Sequence, residues 1–197
     1  IDVKILDKCS VGCPYCNQDS KPKDRGEAGL DLFNAIFSGL TVPPYQIALG
    51  GGEPLDHPLL SEILGFIRSK TTVPNLTTSG YRFDEKLAEA INYFCGGVAL
   101  TYHRHKGAEW FVDRLLQWKK ALTSPQLSVH IICSDTGSLA INELIYEFEK
   151  NRGLSLVDLN LTFVLLAYYS GVGRASFKDS PSIREYNSEL PAAVRRL

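Results

Sequence analysis

The sequence predicts an α/β protein, a partial (β/α)6 TIM-like barrel, and three observations carry that prediction. Six short runs rich in Ile, Val, Leu or Thr alternate with longer segments of helical period, the rhythm of a parallel sheet whose crossovers are helices. The chain has 197 residues, 44% of them hydrophobic and 22% charged, which suits one large core and excludes a disordered, collagen-like or coiled-coil chain. Each run is followed by polar or glycine-rich residues, the place where parallel α/β folds carry their function.

Strands are expected at residues 3–6, 46–49, 75–78, 98–101, 127–133 and 159–166. They are short and apolar, as strands buried on both faces are. Two helices are read from apolar stripes. Leu60, Ile63, Leu64 and Ile67 recur at helical spacing, as do Phe111, Leu115, Trp118 and Leu122, with Lys119 and Lys120 turned away. Asp56-His57-Pro58 marks the start of the first, because Pro is tolerated in a first turn and the residue before it prefers an extended backbone. Weaker patterns place helices at 30–40, at 84–94, where Asp84 and Glu85 suit the positive helix end, and at 139–150. The pattern fades after Arg174, so 1–175 is read as the core and 176–197 as a loop with a short helix.

Twenty-one Lys and Arg against 22 Asp and Glu leave a net charge of −1 with no run of like charge. A reader of phosphate backbones carries a basic excess, so no nucleic-acid partner is expected. No apolar run reaches the length of a membrane span, and the residues from Ile1 to Ser10 lack the order of a signal peptide. The expectation is a cytoplasmic protein with no membrane partner. Met is absent even at position 1, and the natural protein is expected to carry methionines and to begin before Ile1.

The strand ends collect the chemistry. They read Cys9 to Cys16, Gly50-Gly51-Gly52-Glu53-Pro54, Thr77-Thr78-Ser79-Gly80, Tyr102-His103-Arg104, Ser134-Asp135 and Tyr168-Tyr169-Ser170-Gly171. Six such ends gather more readily around a curved mouth than along an open doubly wound sheet, which favours the partial barrel. Five cysteines without a secretory signal point to a metal or reactive site rather than a disulfide framework. Three of them, Cys9, Cys13 and Cys16, lie within eight residues. Thiolates at that spacing can each take a different corner of one polynuclear centre. A structural zinc site closes with four ligands, commonly paired, yet the nearest further candidates, His57 and Cys95, have no paired spacing. A cubane cluster with three protein ligands keeps one iron open to a substrate or cofactor. A zinc knuckle is the alternative reading of the loop.

Cys9-x3-Cys13-x2-Cys16, with aromatic Tyr15 before the last Cys, resembles the signature of the radical S-adenosylmethionine (SAM) enzymes. Gly51-Gly52-Glu53-Pro54 resembles the same family's motif at the end of its second strand. The resemblance runs from Val3 to about Ala175. It implies that Cys9, Cys13 and Cys16 hold a [4Fe–4S] cluster whose open iron binds the amino and carboxylate groups of SAM, and that Tyr15 lies near the adenine. It implies further that Gly51 and Gly52 lie close to the methionine moiety and that Glu53 or nearby carbonyls accept from its ammonium group. Thr78, Ser79 and Ser134 would offer hydroxyls to the ribose and carboxylate, and Tyr168 falls in the segment that meets the adenine.

The implied activity is reductive cleavage of SAM to a 5′-deoxyadenosyl radical that takes hydrogen from an unidentified small-molecule or protein substrate, with the reaction class (oxidoreductase, lyase-like or transferase) open. The implied partner is a one-electron reductant such as a flavodoxin or ferredoxin. His103 and Arg104 are the candidate substrate contacts, an exposed basic loop being the bland alternative. His57 is read as a helix-start residue, His130 as a core histidine, Cys95 and Cys133 as buried apolar residues, and Arg174 as a cap of the sixth loop. No further cysteine cluster or leader-binding domain is expected. Two other functions stay open: a small activating enzyme that installs a radical on a partner protein, and a non-enzymatic zinc-binding module.

Overall fold

The computed structural model of the chain describes residues 1–133, 137–156 and 158–167. The expectations for Ser134, Tyr168, Arg174 and the 176–197 extension lie outside the described residues. Within them the elements run β1 (Asp2–Leu6), α1 (Leu30–Ser38), β2 (Gln46–Gly51), α2 (Leu60–Ser69), β3 (Val73–Thr78), α3 (Glu85–Phe94), β4 (Gly97–Tyr102), α4 (Ala108–Ala121), β5 (Gln126–Cys133), α5 (Gly137–Tyr146) and β6 (Thr162–Ala167). All six strands are parallel and stand in sequence order in one sheet. With right-handed crossovers, that order puts every helix on the same face and curls the sheet away from them, whereas a doubly wound sheet would reverse order partway. Among the described residues β1 and β6 do not pair, so the barrel is a partial one.

Two boundaries moved for local reasons. β6 begins at Thr162 rather than at 159 because Asn160, at φ +46°, takes a left-handed conformation that extended backbone does not accommodate. The fifth helix ends at Tyr146 and widens into a π-helical turn over Glu147–Asn151. That turn lets Arg152 donate back to Glu147 at 2.8 Å while also pairing with Asp113 of α4 at 2.8 Å.

The strands alternate with period two. Ile47, Leu49, Leu76, Leu100, Val129 and Ile131 point outward, each at most 1% exposed, and meet Phe33, Ile63, Leu64, Ile67, Ile91, Phe111 and Leu115 of the helices. Each of these side chains contributes about 1.5–3 kcal/mol by leaving water. The opposite positions, Gln46, Asn75, Thr77, Ser128, His130 and Thr162, are polar and line open cavities on the concave face. The expectation of strands buried alike on both faces is therefore corrected: the helix-covered face is a core and the concave face a lumen. No described helix is long and apolar enough to cross a membrane.

Candidate active site at the strand ends

The end of β2 is zipped onto the root of the cysteine loop. Gly52 donates its N–H to the Leu6 carbonyl at 2.6 Å, and Glu53 to that of Lys8 at 2.9 Å. A Cβ at Gly51, where φ is +133°, would lie 2.6 Å from the Leu6 carbonyl oxygen, and one at Gly52 would lie 1.9 Å from that of Lys8. Glycine is thus required here by the chain's own backbone, before any ligand is considered. The peptide units of this shelf still border the cavity at the strand ends.

Glu53 turns inward and is 1% exposed. Its carboxyl group accepts from the N–H of Leu55 at 3.1 Å, the N–H of Ser79 at 2.9 Å, and the hydroxyls of both Thr78 and Ser79. Burial pushes its pKa up, while the donors from Ser79, Thr78 and Leu55 pull the other way. The carboxyl clamps the end of β2 to the end of β3, and the Thr78 and Ser79 hydroxyls, two of the three that the sequence offered to a ligand, are engaged with it.

Cys9, Cys13 and Cys16 all line one cavity of about 370 Å³, together with Tyr15, Gly50 to Gly52, Glu53, Thr78 and Ser79. The loop packs through Val11 against Cys9 and Cys13, with Tyr15, Cys16 and Tyr81 around them. Asp56 braces it from below, accepting from Ser10 Oγ at 3.2 Å and from the Tyr81 hydroxyl. Burial raises the Cys9 thiol above its ordinary pKa, opposed by the nearby N–H groups of Val11 and Gly12. Among the described residues no set of three Cys, His, Asp or Glu groups converges on a point where a single ion would sit. A polynuclear cluster asks for something different, namely thiolates at separate corners around a volume. Three soft sulfur donors on one cavity wall, beside a glycine shelf, fit that demand.

His103, at the end of β4, lines the same cavity and holds its Nδ1 3.3 Å from Cys13 Sγ. Its ring is near-parallel to that of Tyr15, with centroids 6.4 Å apart. The Tyr15 hydroxyl in turn reaches His105 Nδ1 at 3.4 Å. Burial, then the neighbouring His105 and Lys106, push the His103 pKa down to about 4, so the ring is neutral. Arg104 departs from its neighbour. It turns to helix α5 and grips Glu143 through Nε at 3.0 Å and Nη2 at 2.9 Å, and it is not among the cavity-lining residues.

Several lining residues were not singled out as site residues in the sequence, chiefly His130, Thr77, Thr101, Ile132 and Leu166. The reading of His130 as a core residue is corrected, since its imidazole faces the lumen. Period two along β5, counted from the outward Val129 and Ile131, would have found it. His57 is as read: 5% exposed, it accepts from the Leu59 N–H through Nδ1 and contacts the Ala28 carbonyl through Nε2, each at 3.1 Å, at the approach to α2. Cys95 is buried against the core, which pushes its thiol to about 12. Cys133 lies within β5, and its side chain is outside the described set.

A parallel half-barrel with three cysteines and a glycine shelf at its mouth is an α/β protein of the partial TIM-barrel class. Comparison with known proteins narrows the class. The chain is 29% identical over 94 residues to a PqqA peptide cyclase of Gluconobacter oxydans, covering 45% of this chain and 25% of that protein. It is 32% identical over 99 residues to a GTP 3′,8-cyclase of Microcystis aeruginosa, covering 45% of this chain and 29% of that protein. The chain spans less than half the length of these curated relatives. No family model matches. Among solved structures, the fold matches SuiB of Streptococcus suis bound to its precursor peptide SuiA, with a TM-score of 0.69 at 13% identity, covering 99% of this chain and 46% of that one. It also matches anSMEcpe with bound S-adenosylmethionine, with a TM-score of 0.66 at 15% identity, covering 98% and 60%. These relatives and neighbours are radical SAM enzymes, in line with the resemblance carried by the Cys9-x3-Cys13-x2-Cys16 and Gly51-Gly52-Glu53-Pro54 motifs, and the parallel six-strand sheet matches the partial barrel of the solved neighbours.

Proposed function

We propose that the chain forms the catalytic core of a radical SAM enzyme, with residues 1–175 as the barrel, acting on a peptide. The observation that carries this reading is the meeting of Cys9, Cys13 and Cys16 with the Gly50–Gly52 shelf on one cavity. When bound there, a [4Fe–4S] cluster and SAM would supply one-electron cleavage of a carbon–sulfur bond and a hydrogen-abstracting 5′-deoxyadenosyl radical. The three cysteines would ligate the cluster. The shelf, whose Cβ positions already abut the chain's own backbone, presents peptide groups to the amino-acid part of SAM, and Glu53 holds that shelf against β3. Thr77, Thr101 and His130 line the lumen beneath, where a substrate would lie shielded from water. Ser134 and Tyr168 remain candidate contacts to SAM.

The substrate class rests on the proteins that share this core, since three solved neighbours hold peptides and two relatives are named for cyclising one. A nucleotide substrate is the second reading, favoured by the GTP 3′,8-cyclase relatives. A flavodoxin or ferredoxin would deliver the electron, and a reducing compartment such as the cytoplasm would keep the thiols available. Anaerobic reconstitution followed by reduction with SAM tests the core activity: 5′-deoxyadenosine is expected from the wild type, and Cys13→Ala should fall to the level of the protein-free reaction. Equal product from both proteins, or colourless protein with stoichiometric zinc, would overturn the assignment in favour of a metal-binding module. Deuterium carried into 5′-deoxyadenosine from a labelled peptide, and not from labelled GTP, would separate the two substrate classes.

A further inference from the structure

We propose that His130 is a substrate-contact residue that selects an uncharged amide, from the backbone or from an Asn or Gln side chain of the peptide, and so fixes how the peptide lies in the lumen. This rests on the functional reading above. His130 stands on the concave face of β5, in register with Thr101 of β4. It lines both the cavity of about 370 Å³ at the strand ends and a second one of about 450 Å³ nearer the strand starts. Thr77 of β3 is the other described residue common to the two. On β4, which runs between them, the residue in register with Thr77 is Ala99, a side chain too short to divide the space. The two cavities therefore meet where Thr77 and His130 stand.

Nearer the strand starts the polar side chains answer one another. Asn75 Nδ2 donates to Gln46 Oε1 at 3.0 Å, and Gln126 Nε2 to Thr162 Oγ1 at 2.9 Å. His130 is half-buried yet has no hydrogen-bond partner among the described residues. Burial pulls its pKa below 6.5, so the ring is neutral at pH 7. A neutral imidazole offers one donor and one acceptor, and an amide answers both with its carbonyl oxygen and its N–H. Among the described residues lining the two cavities there is no Lys or Arg, and the carboxyl of Glu53 is taken up by Leu55, Thr78 and Ser79. A carboxylate or a triphosphate drawn to His130 would shed water without meeting a counter-charge, whereas an amide exchanges one set of hydrogen bonds for another.

The test uses the reconstituted full chain with SAM and a probe that carries both kinds of amide, N-acetylglutamine methylamide. Its charged isostere, N-acetylglutamate methylamide, and inorganic triphosphate are the comparisons. The chain has four histidines, so nuclear magnetic resonance of protein grown on isotope-labelled histidine can follow each imidazole, assigned by replacing the histidines one at a time. The glutamine probe should shift the His130 nitrogens in a saturable way, and the glutamate probe and triphosphate should bind there about tenfold more weakly or worse. Read from the probe's own resonances, His130→Leu should weaken the glutamine probe about fivefold, the equivalent of one hydrogen bond, and His130→Gln, which keeps a donor and an acceptor, should recover most of that loss.

The comparison of probes on the wild type decides the matter whether or not His130→Leu folds. Equal binding of the glutamine and glutamate probes, or no shift at His130 while the same sample forms 5′-deoxyadenosine from SAM, would overturn the proposal and leave the enzyme assignment standing. Unchanged probe affinity in a folded His130→Leu would overturn it too, by placing the amide elsewhere in the lumen. A wild type that forms no 5′-deoxyadenosine would overturn both readings at once.

Discussion

At Glu53, 1% exposed, a single carboxyl group gathers four hydrogen bonds from Leu55, Thr78 and Ser79. Truncation leaves those donors buried without an acceptor, and each unmet group costs about 1–3 kcal/mol. Glu53→Ala is accordingly expected to lose about 3 kcal/mol or more of unfolding free energy in urea, and Glu53→Gln distinctly less, because an amide oxygen still accepts. An alanine variant as stable as the wild type would show that water replaces the carboxyl and that the clamp carries little. His57 gives a pH dependence. Burial pulls its pKa below the ordinary value of 6.5, against the opposing pull of the Ala28 carbonyl, Glu27 and Glu62. A depressed folded-state pKa means that the unfolded chain takes up the proton first, so this contribution is present above pH 6.5 and lost as pH falls below it. Urea midpoints measured from pH 7 to 5 should fall for the wild type and fall less steeply for His57→Asn; parallel slopes would remove His57 from the account.

Among the elements, α4 is the one whose anchorage is most easily tested. Trp118 is 1% exposed, donates its indole N–H to the Gly80 carbonyl at 3.1 Å, and meets the edge of Phe83 at 5.0 Å between centroids. It therefore ties α4 to the turn after β3, just beyond the Glu53 clamp. Trp118→Ala should cost about 3–5 kcal/mol through the cavity it opens, while Trp118→Phe should recover most of the packing but not the hydrogen bond. Chemical denaturation that ranked the two variants equally would place the effect in the indole N–H rather than in volume. The stripe of Phe111, Leu115 and Trp118 was legible from spacing alone, and so was the N-terminal end of α3, where Asp84 accepts from the Leu87 N–H at 2.9 Å. The π-helical turn after α5 was not, because it exists to let Arg152 span Glu147 and Asp113, partners far apart in the chain from the standpoint of local propensity.

For the molecule as a whole, rigidity is uneven. From residue 10 to 20 the backbone hydrogen bonds described are the turn bonds from Cys16 to Cys13 and from Asp19 to Cys16, both 3.3 Å, whereas β3, β4 and β5 pair along their lengths. In the cluster-free protein the amides of the cysteine loop should exchange with deuterium well before those of β4, and should slow on reconstitution; loop amides protected as strongly as the strand without a cluster would contradict this. The sequence by itself determined the six-fold alternation, the strand positions to within a few residues, and the cysteine and glycine motifs at consecutive strand ends, because periodicity and short-range spacing are local properties of a chain. What lay beyond it was decided by distance in space. Only the fold shows that the glycines at 51 and 52 yield to the backbone of Leu6 and Lys8, that Glu53 takes the hydroxyls of Thr78 and Ser79, that His130 faces the lumen, and that Arg104 is drawn to Glu143 while His103 meets Cys13. Each of these depends on which side chains arrive within about 3 Å of one another, and that is set by the curl of the sheet and the register of its strands, which bring together residues 25 to 90 positions apart.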